Sequence, residues 1–168
     1  MLITKKIEID MGHRVPNHKS KCYNIHGHRY TFMVGVDDKV IKTKGASDEG
    51  MVIDFGDLKS IMMDQIDARL DHGFMIYKDD PMYALWKKEK FYDKQKVIPV
   101  DYIPTVENIA RDTYFKMERP LTKKGIAIAW VKVWETPNST AIYTKADMDL
   151  EGKLKWVEDL VLNIAKKQ

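Results

Sequence analysis

ITKKIEIDMGHRVPNHKSKCYNIHGHRYTFMVGV, residues 3–36, decides the fold. In its first third Ile3, Ile7, Ile9 and Met11 alternate with Thr4, Lys6, Glu8 and Asp10, and Lys5 is the one break. In its last part Tyr30, Phe32, Val34 and Val36 repeat the same period. Successive side chains of a strand point to opposite faces, so a period of two predicts two half-buried strands. The connection holds Pro16, Asn17, Ser20 and Gly27, and four of the five histidines lie in or beside it. An antiparallel hairpin with a histidine-rich end is the expectation.

Working outward, residues 37–50 read as a polar loop. Phe55, Leu58, Ile61, Met62, Ile66 and Leu70 follow at steps of three and four, the stripe of an amphipathic helix, with Gly73 as a cap just past its end. Thr105 is the expected N-cap of a second helix that buries Val106, Ile109, Ala110, Thr113 and Met117. Ile126 to Trp134 is apolar on both faces except at Lys132, as in a central strand, and Ala141 to Tyr143 starts another after a turn at 136–138. The order ββααββ predicts an α+β domain: a four-stranded antiparallel sheet with two helices on one face. Residues 77–103, with Lys87, Lys88, Lys90, Lys94 and Lys96 among aromatics, read as an insertion between the helices, and residues 147–166 read as an added C-terminal helix. The whole, 1–168, is expected to be a single domain.

Charged residues make up 32% of the 168 and the net charge is only +3, too weak to argue for a nucleic-acid partner. No run approaches the roughly 18 apolar residues that span a bilayer, and Met1 to Lys6 has no cleavage-like site. One cysteine rules out a disulfide within the chain. A cytoplasmic protein with no membrane partner is the expectation.

His26-Gly27-His28 carries the strongest chemical signal. Residues two apart on a strand share a face, and the end of one hairpin strand lies beside the start of the next, so His13 can join them. Three imidazoles with an open fourth position is the arrangement of catalytic zinc. The alternative is three ordinary surface histidines. His18 has no partner implied and reads as solvated. Cys22, four residues before His26, could be a fourth ligand or a base whose thiol the metal, Lys19 and Lys21 acidify. Asp71-His72 closes the first helix; the carboxylate can orient the ring, although a histidine there also suits the helix dipole. Glu135 ends an apolar strand, and a buried carboxylate there would suit the amino and ring N–H groups of a flat heterocycle. Thr105 and Glu107 are first of all helix-starting residues.

Six stretches in this order resemble the family of 6-pyruvoyltetrahydropterin and 6-carboxytetrahydropterin synthases. They are Gly12-His13-Arg14-Val15-Pro16, Cys22 to His28, Val52-Ile53-Asp54-Phe55, Leu70-Asp71-His72, Pro104-Thr105-Val106-Glu107-Asn108 and Trp134-Glu135-Thr136. The resemblance implies a T-fold (tunnelling fold), in which subunits join their sheets into a barrel, commonly a hexamer of two trimers. It implies Zn2+ on His13, His26 and His28, Cys22 as the proton-abstracting base, and Asp71 with His72 as the proton-delivering partner. It implies Glu135 as the anchor of the pterin ring, with Thr105 and Glu107 nearby. The implied substrate is 7,8-dihydroneopterin triphosphate. The C-x3-H-G-H spacing resembles the carboxypterin branch, whose product is 6-carboxy-5,6,7,8-tetrahydropterin with acetaldehyde and triphosphate, used in queuosine-type deazapurine synthesis. Synthesis of 6-pyruvoyltetrahydropterin is the alternative, and a non-catalytic zinc-stabilised module is the alternative of another class.

Overall fold

The computed structural model describes residues 1–165, and the side chains of those residues other than 92, 156, 157 and 159–165. β1 (Leu2–His13) and β2 (His26–Asp37) form the expected hairpin, each longer than its alternation suggested. Their register pairs Ile9 with Tyr30, Met11 with His28 and His13 with His26. Ile9, Met11, Tyr30, Phe32, Val34 and Val36 are buried. Lys5, the break in the alternation, points to the same side, where its ammonium lies 5.8 Å from the centre of the Phe55 ring. That ring is about half exposed, so Phe55 starts the first helix but does not share its buried stripe.

The first helix runs as α1 (Phe55–Met62), a π-helical turn over Met63–Asp67, and α2 (Ala68–Leu70). Leu58, Met62, Ile66 and Leu70, four apart, are all buried. In a regular helix each step of four overshoots a turn by about 40°. The wider π turn takes up that drift and keeps Ile66 and Leu70 under the helix. The helix ends at Asp71, and the left-handed residue is His72, at φ 54°, not Gly73. Gly73 serves a close approach instead: a Cβ there would lie 2.4 Å from Ile98 Cδ1.

The T-fold expectation holds, but the sheet is larger than the four antiparallel strands anticipated. β3 (Phe74–Tyr77) pairs parallel to the end of β1 at Gly12 and His13, and β4 (Val97–Val100) pairs parallel to β3. The six-stranded order is β4-β3-β1-β2-β5-β6. The segment read as an insertion thus carries an edge strand, with α3 (Pro81–Lys88) before it. Four-residue strands leave too short an alternation to be read from sequence.

α4 (Val106–Lys123) is capped by Thr105, whose hydroxyl accepts from the Asn108 N–H, and buries Ile109, Ala110, Thr113, Tyr114, Met117 and Leu121. β5 (Ile128–Thr136) and β6 (Ser139–Thr144) complete the antiparallel part. Of the stretch read as apolar on both faces, Ile128, Val131 and Val133 are buried and Ala127 is exposed. Ile128, not Ala129, is buried, because the register against β2 shifts between Gly35 and Val36. A bulge inserts one residue and switches the face. α5 (Lys145–Ala165) is the C-terminal helix, and the expected residue 166 at its end lies outside the described residues. Arg111 of α4 holds it through Glu151, with nitrogen–oxygen distances of 2.7–3.0 Å.

Candidate active site

The β1–β2 register sets His13 directly opposite His26 and leaves His28 two residues on, on the same face. Opposed residues of an antiparallel pair have Cβ atoms about 5 Å apart. The three rings pack with centroids 4.5–5.4 Å apart, and one ligand nitrogen from each lies within 4.8 Å of the others. Gly12 and Gly27 face each other across this pair. A Cβ on Gly27 would meet the Met11 carbonyl oxygen at 2.9 Å, so this glycine permits strand approach and does not merely clear the site.

Two rings are oriented by main-chain carbonyls. His13 Nδ1 lies 2.7 Å from the Pro104 oxygen, and His26 Nδ1 lies 2.8 Å from the Asn24 oxygen. A carbonyl cannot donate, so each Nδ1 carries the proton and each Nε2 presents a lone pair. His13 Nε2 is buried without a hydrogen-bond partner, and a Glu135 oxygen lies 3.5 Å from it. A carboxylate facing a buried lone pair is acceptor against acceptor, the arrangement that a bound cation between or beside them relieves. Burial pushes the His13 imidazole below its ordinary pKa, against the Pro104 bond and helped by His26; burial does the same to His28. Neutral imidazole is the form that ligates metal. The three residues therefore fit a metal ion, and the backbone carbonyls behind two of them are the kind of support that fixes ligand geometry.

Glu135 is one-quarter exposed and accepts from the Tyr30 hydroxyl at 3.4 Å. The β5–β6 register shifts between Trp134 and Thr136, so Glu135 is the residue left out of that ladder. Bulges commonly re-aim a side chain beside a functional site. Tyr30 is fully buried, and its ring meets those of His13 and His28 edge-on at 5.8 and 5.7 Å. Burial, then Glu135, then Cys22 raise its hydroxyl far above the ordinary tyrosine range. Cys22 is half-buried in the turn Lys21–Tyr23, close enough for its charge to act on that hydroxyl. Its carbonyl accepts from the Val15 N–H at 2.8 Å, which draws the turn back to the end of β1.

Asp71 and His72 form a pair of another kind. His72 Nδ1 donates to Asp71 Oδ2 at 2.6 Å, and Asp71 Oδ1 accepts from the Asp10 N–H at 3.0 Å. The Asp10 N–H, and then His72, hold the Asp71 carboxyl below the ordinary carboxylate range. The His72 ring is 78% exposed and borders a hollow of about 490 Å³ shared with Asp10, Arg29 and His28. Glu135 lines a different hollow, of about 590 Å³, with His28, Arg29 and Thr136. His28 and Arg29 border both hollows, so both open beside the start of β2, and within one chain the Asp71–His72 pair is not brought into contact with the histidine cluster by any hydrogen bond or ring contact of the described residues.

Thr105 is half-buried at its cap and Glu107 is exposed in the first turn of α4; the link from this segment to the cluster is the Pro104 carbonyl. His18 accepts from the Ser20 N–H and stands apart. Sequence reasoning missed Pro104 and Asn24, because a main-chain carbonyl leaves no mark on residue type. Tyr30 could have been found: it continues the His26, His28 period on the buried face.

Residues 2–146 match the family model described as 6-pyruvoyl tetrahydropterin synthase. Over 138 residues the chain is 33% identical to the 6-carboxy-5,6,7,8-tetrahydropterin synthase of Rickettsia bellii, covering 80% of this chain and 94% of that one. An uncharacterised protein from Wolinella succinogenes shares the fold with a TM-score of 0.72 at 22% identity, over 86% of this chain and 98% of that one. The 6-pyruvoyl tetrahydropterin synthase of Caenorhabditis elegans superposes with a TM-score of 0.60 at 22% identity, over 86% and 94%. A match spanning nearly the whole described chain, on a sheet that gathers three histidines at one end, shows that this chain belongs to the 6-pyruvoyl tetrahydropterin synthase family.

Proposed function

We propose that the chain is a zinc-dependent lyase that, with consumption of one water, converts 7,8-dihydroneopterin triphosphate to 6-carboxy-5,6,7,8-tetrahydropterin, releasing acetaldehyde and triphosphate. The step would feed queuosine-type deazapurine synthesis in the cytoplasm, with the chain acting as a homo-oligomer, a hexamer of two trimers. The observation that carries the reading is the bare, buried His13 Nε2 with the Glu135 carboxylate 3.5 Å away, a cation site and a heterocycle anchor side by side. The name of the Rickettsia relative and the C-x3-H-G-H spacing favour the carboxypterin product.

His13, His26 and His28 would hold Zn2+, which supplies Lewis acidity toward the hydroxyl and carbonyl oxygens of the substrate side chain. Glu135 accepts the amino and ring N–H of the pterin, and Tyr30 holds one of its oxygens in place. Thr105 and Glu107 flank the ring from the start of α4. Cys22 would take a proton from a carbon of the substrate side chain. His72 returns a proton at a neighbouring position through Nε2, since Nδ1 is committed to Asp71.

Zinc-loaded protein given 7,8-dihydroneopterin triphosphate should release acetaldehyde and 6-carboxytetrahydropterin in equal amounts. A 6-pyruvoyl product without acetaldehyde would move the chain to the pyruvoyl reaction. Zinc binding with no turnover of this substrate would leave a zinc-stabilised module.

A further inference from the structure

Arg14 and Asp80 form an ion pair, Nε to Oδ2 at 3.0 Å, with side chains only 6% and 1% exposed. Surface pairs of the same chain look different: Arg111 and Glu151 remain 47% and 39% exposed. Taking two charges out of water costs more than their attraction often returns, so a buried pair is poorly explained by stability. Its value lies in what it fixes. Asp80 is the N-cap of α3, its Oδ1 accepting from the Met82 N–H at 2.8 Å, while its buried Oδ2 makes no hydrogen bond and faces Arg14 as the ion-pair oxygen. Arg14 follows the metal-site residue His13 and lies with its guanidinium carbon 4.6 Å from the centre of the Tyr23 ring. Tyr23 follows Cys22, and the Cys22 carbonyl is bonded to Val15, the residue after Arg14.

We propose that Asp80, through Arg14 and Tyr23, is a positioning device that holds the Cys22 turn against the end of β1. The chain of contacts runs Asp80 to Arg14 to Tyr23, one residue from the thiol. It gives the segment 77–103 a role in the site through Asp80. The guanidinium is a flat plate held by the Asp80 carboxylate beside Nε and by Met82 Sδ 3.6 Å from Nη1, two contacts that restrict how its face meets the ring. A lysine could not present that face. The Tyr23 ring is about half exposed, so its position depends on this stacking more than on burial.

The proposal rests on the catalytic reading of Cys22 for its kinetic consequence but not for its geometric one. Two proteins test it: Tyr23→Leu, and the double variant Arg14→Met with Asp80→Asn, which removes both charges and keeps a capping oxygen. For each, zinc content, the thermal midpoint, KM, kcat and the rate of Cys22 alkylation by iodoacetamide are measured. Expected are full zinc content, KM within about twofold, a kcat loss of roughly 10- to 100-fold from a misplaced group, and alkylation at least about threefold faster. Tyr23→Phe, which keeps the ring, should restore both rates. Folded, zinc-loaded Tyr23→Leu with wild-type kcat and alkylation rate would overturn the proposal, and because Tyr23 is half exposed this variant decides even where the double variant fails to fold. If the wild-type protein turns over no pterin, the lyase reading fails, and the alkylation rates still judge the positioning.

Discussion

Two regions of this molecule orient an imidazole through Nδ1, and they do it with opposite partners. In the histidine cluster the acceptors are neutral main-chain carbonyls, Pro104 for His13 and Asn24 for His26. At the end of the first helix the acceptor is the Asp71 carboxylate for His72. The cluster is built on paired strands with His13 buried; His72 sits on a left-handed residue and is largely exposed. A carbonyl favours the charged ring only weakly, and at His13 burial outweighs it and keeps the ring neutral, which suits a metal ligand. At His72 the carboxylate takes the Nδ1 proton and fixes the tautomer of an exposed ring, leaving Nε2 free of that bond, as the proposed proton donor would need. The same bond to the same atom thus occurs in two settings, one buried against a carbonyl and one exposed against a carboxylate.

The largest break of this comparison should come from His26→Ala. Loss of an outer partner costs roughly 10- to 100-fold in metal affinity, so loss of a ligand should cost more. Metal analysis should find about one zinc per chain in the wild type and close to none in this variant, whereas His72→Ala keeps its zinc. Full zinc in His26→Ala would remove the cluster from the metal site.

Next in size is the exposed pair. His72→Ala and Asp71→Asn should each lower kcat, His72→Ala by on the order of 10²–10⁴ for a lost proton donor. Because Asp71 acts through the ring, the double variant should be little worse than His72→Ala alone. Losses that multiply would mean that two independent groups had been mistaken for one.

The smallest effect sharpens the other half of the contrast. His13 and His28 have folded-state pKa values lowered by burial. Below the unfolded value of about 6.5 the unfolded chain binds protons that the folded chain refuses, so protonation favours unfolding. The stability this pair contributes is present above that pH and is lost as pH falls below it. The thermal midpoint of metal-free protein should therefore drop by a few degrees between pH 7 and 5, and His28→Asn should lessen the slope. A midpoint that stays level or rises on acidification in the wild type would contradict neutral, buried ligands.

The sequence by itself determined the hairpin, the two long helices and the meeting of the three histidines, because each rests on a period. Alternation fixes a strand's faces, a stripe fixes a helix, and H-x-H at a hairpin end fixes a common side. It also marked Glu135, since a carboxylate closing an apolar strand has few uses. Tertiary structure decided what no period encodes. The parallel strands β3 and β4 are too short to alternate visibly, and they form by pairing with the end of β1. The bulges that take Ala129 out of the buried face and re-aim Glu135 insert one residue whose presence no residue type signals. The carbonyls of Pro104 and Asn24 belong to every residue alike, so only the folded chain could choose them. The Arg14–Asp80 pair joins residues 66 positions apart, a contact whose cost and purpose both arise from burial, which exists only once the chain has closed around it.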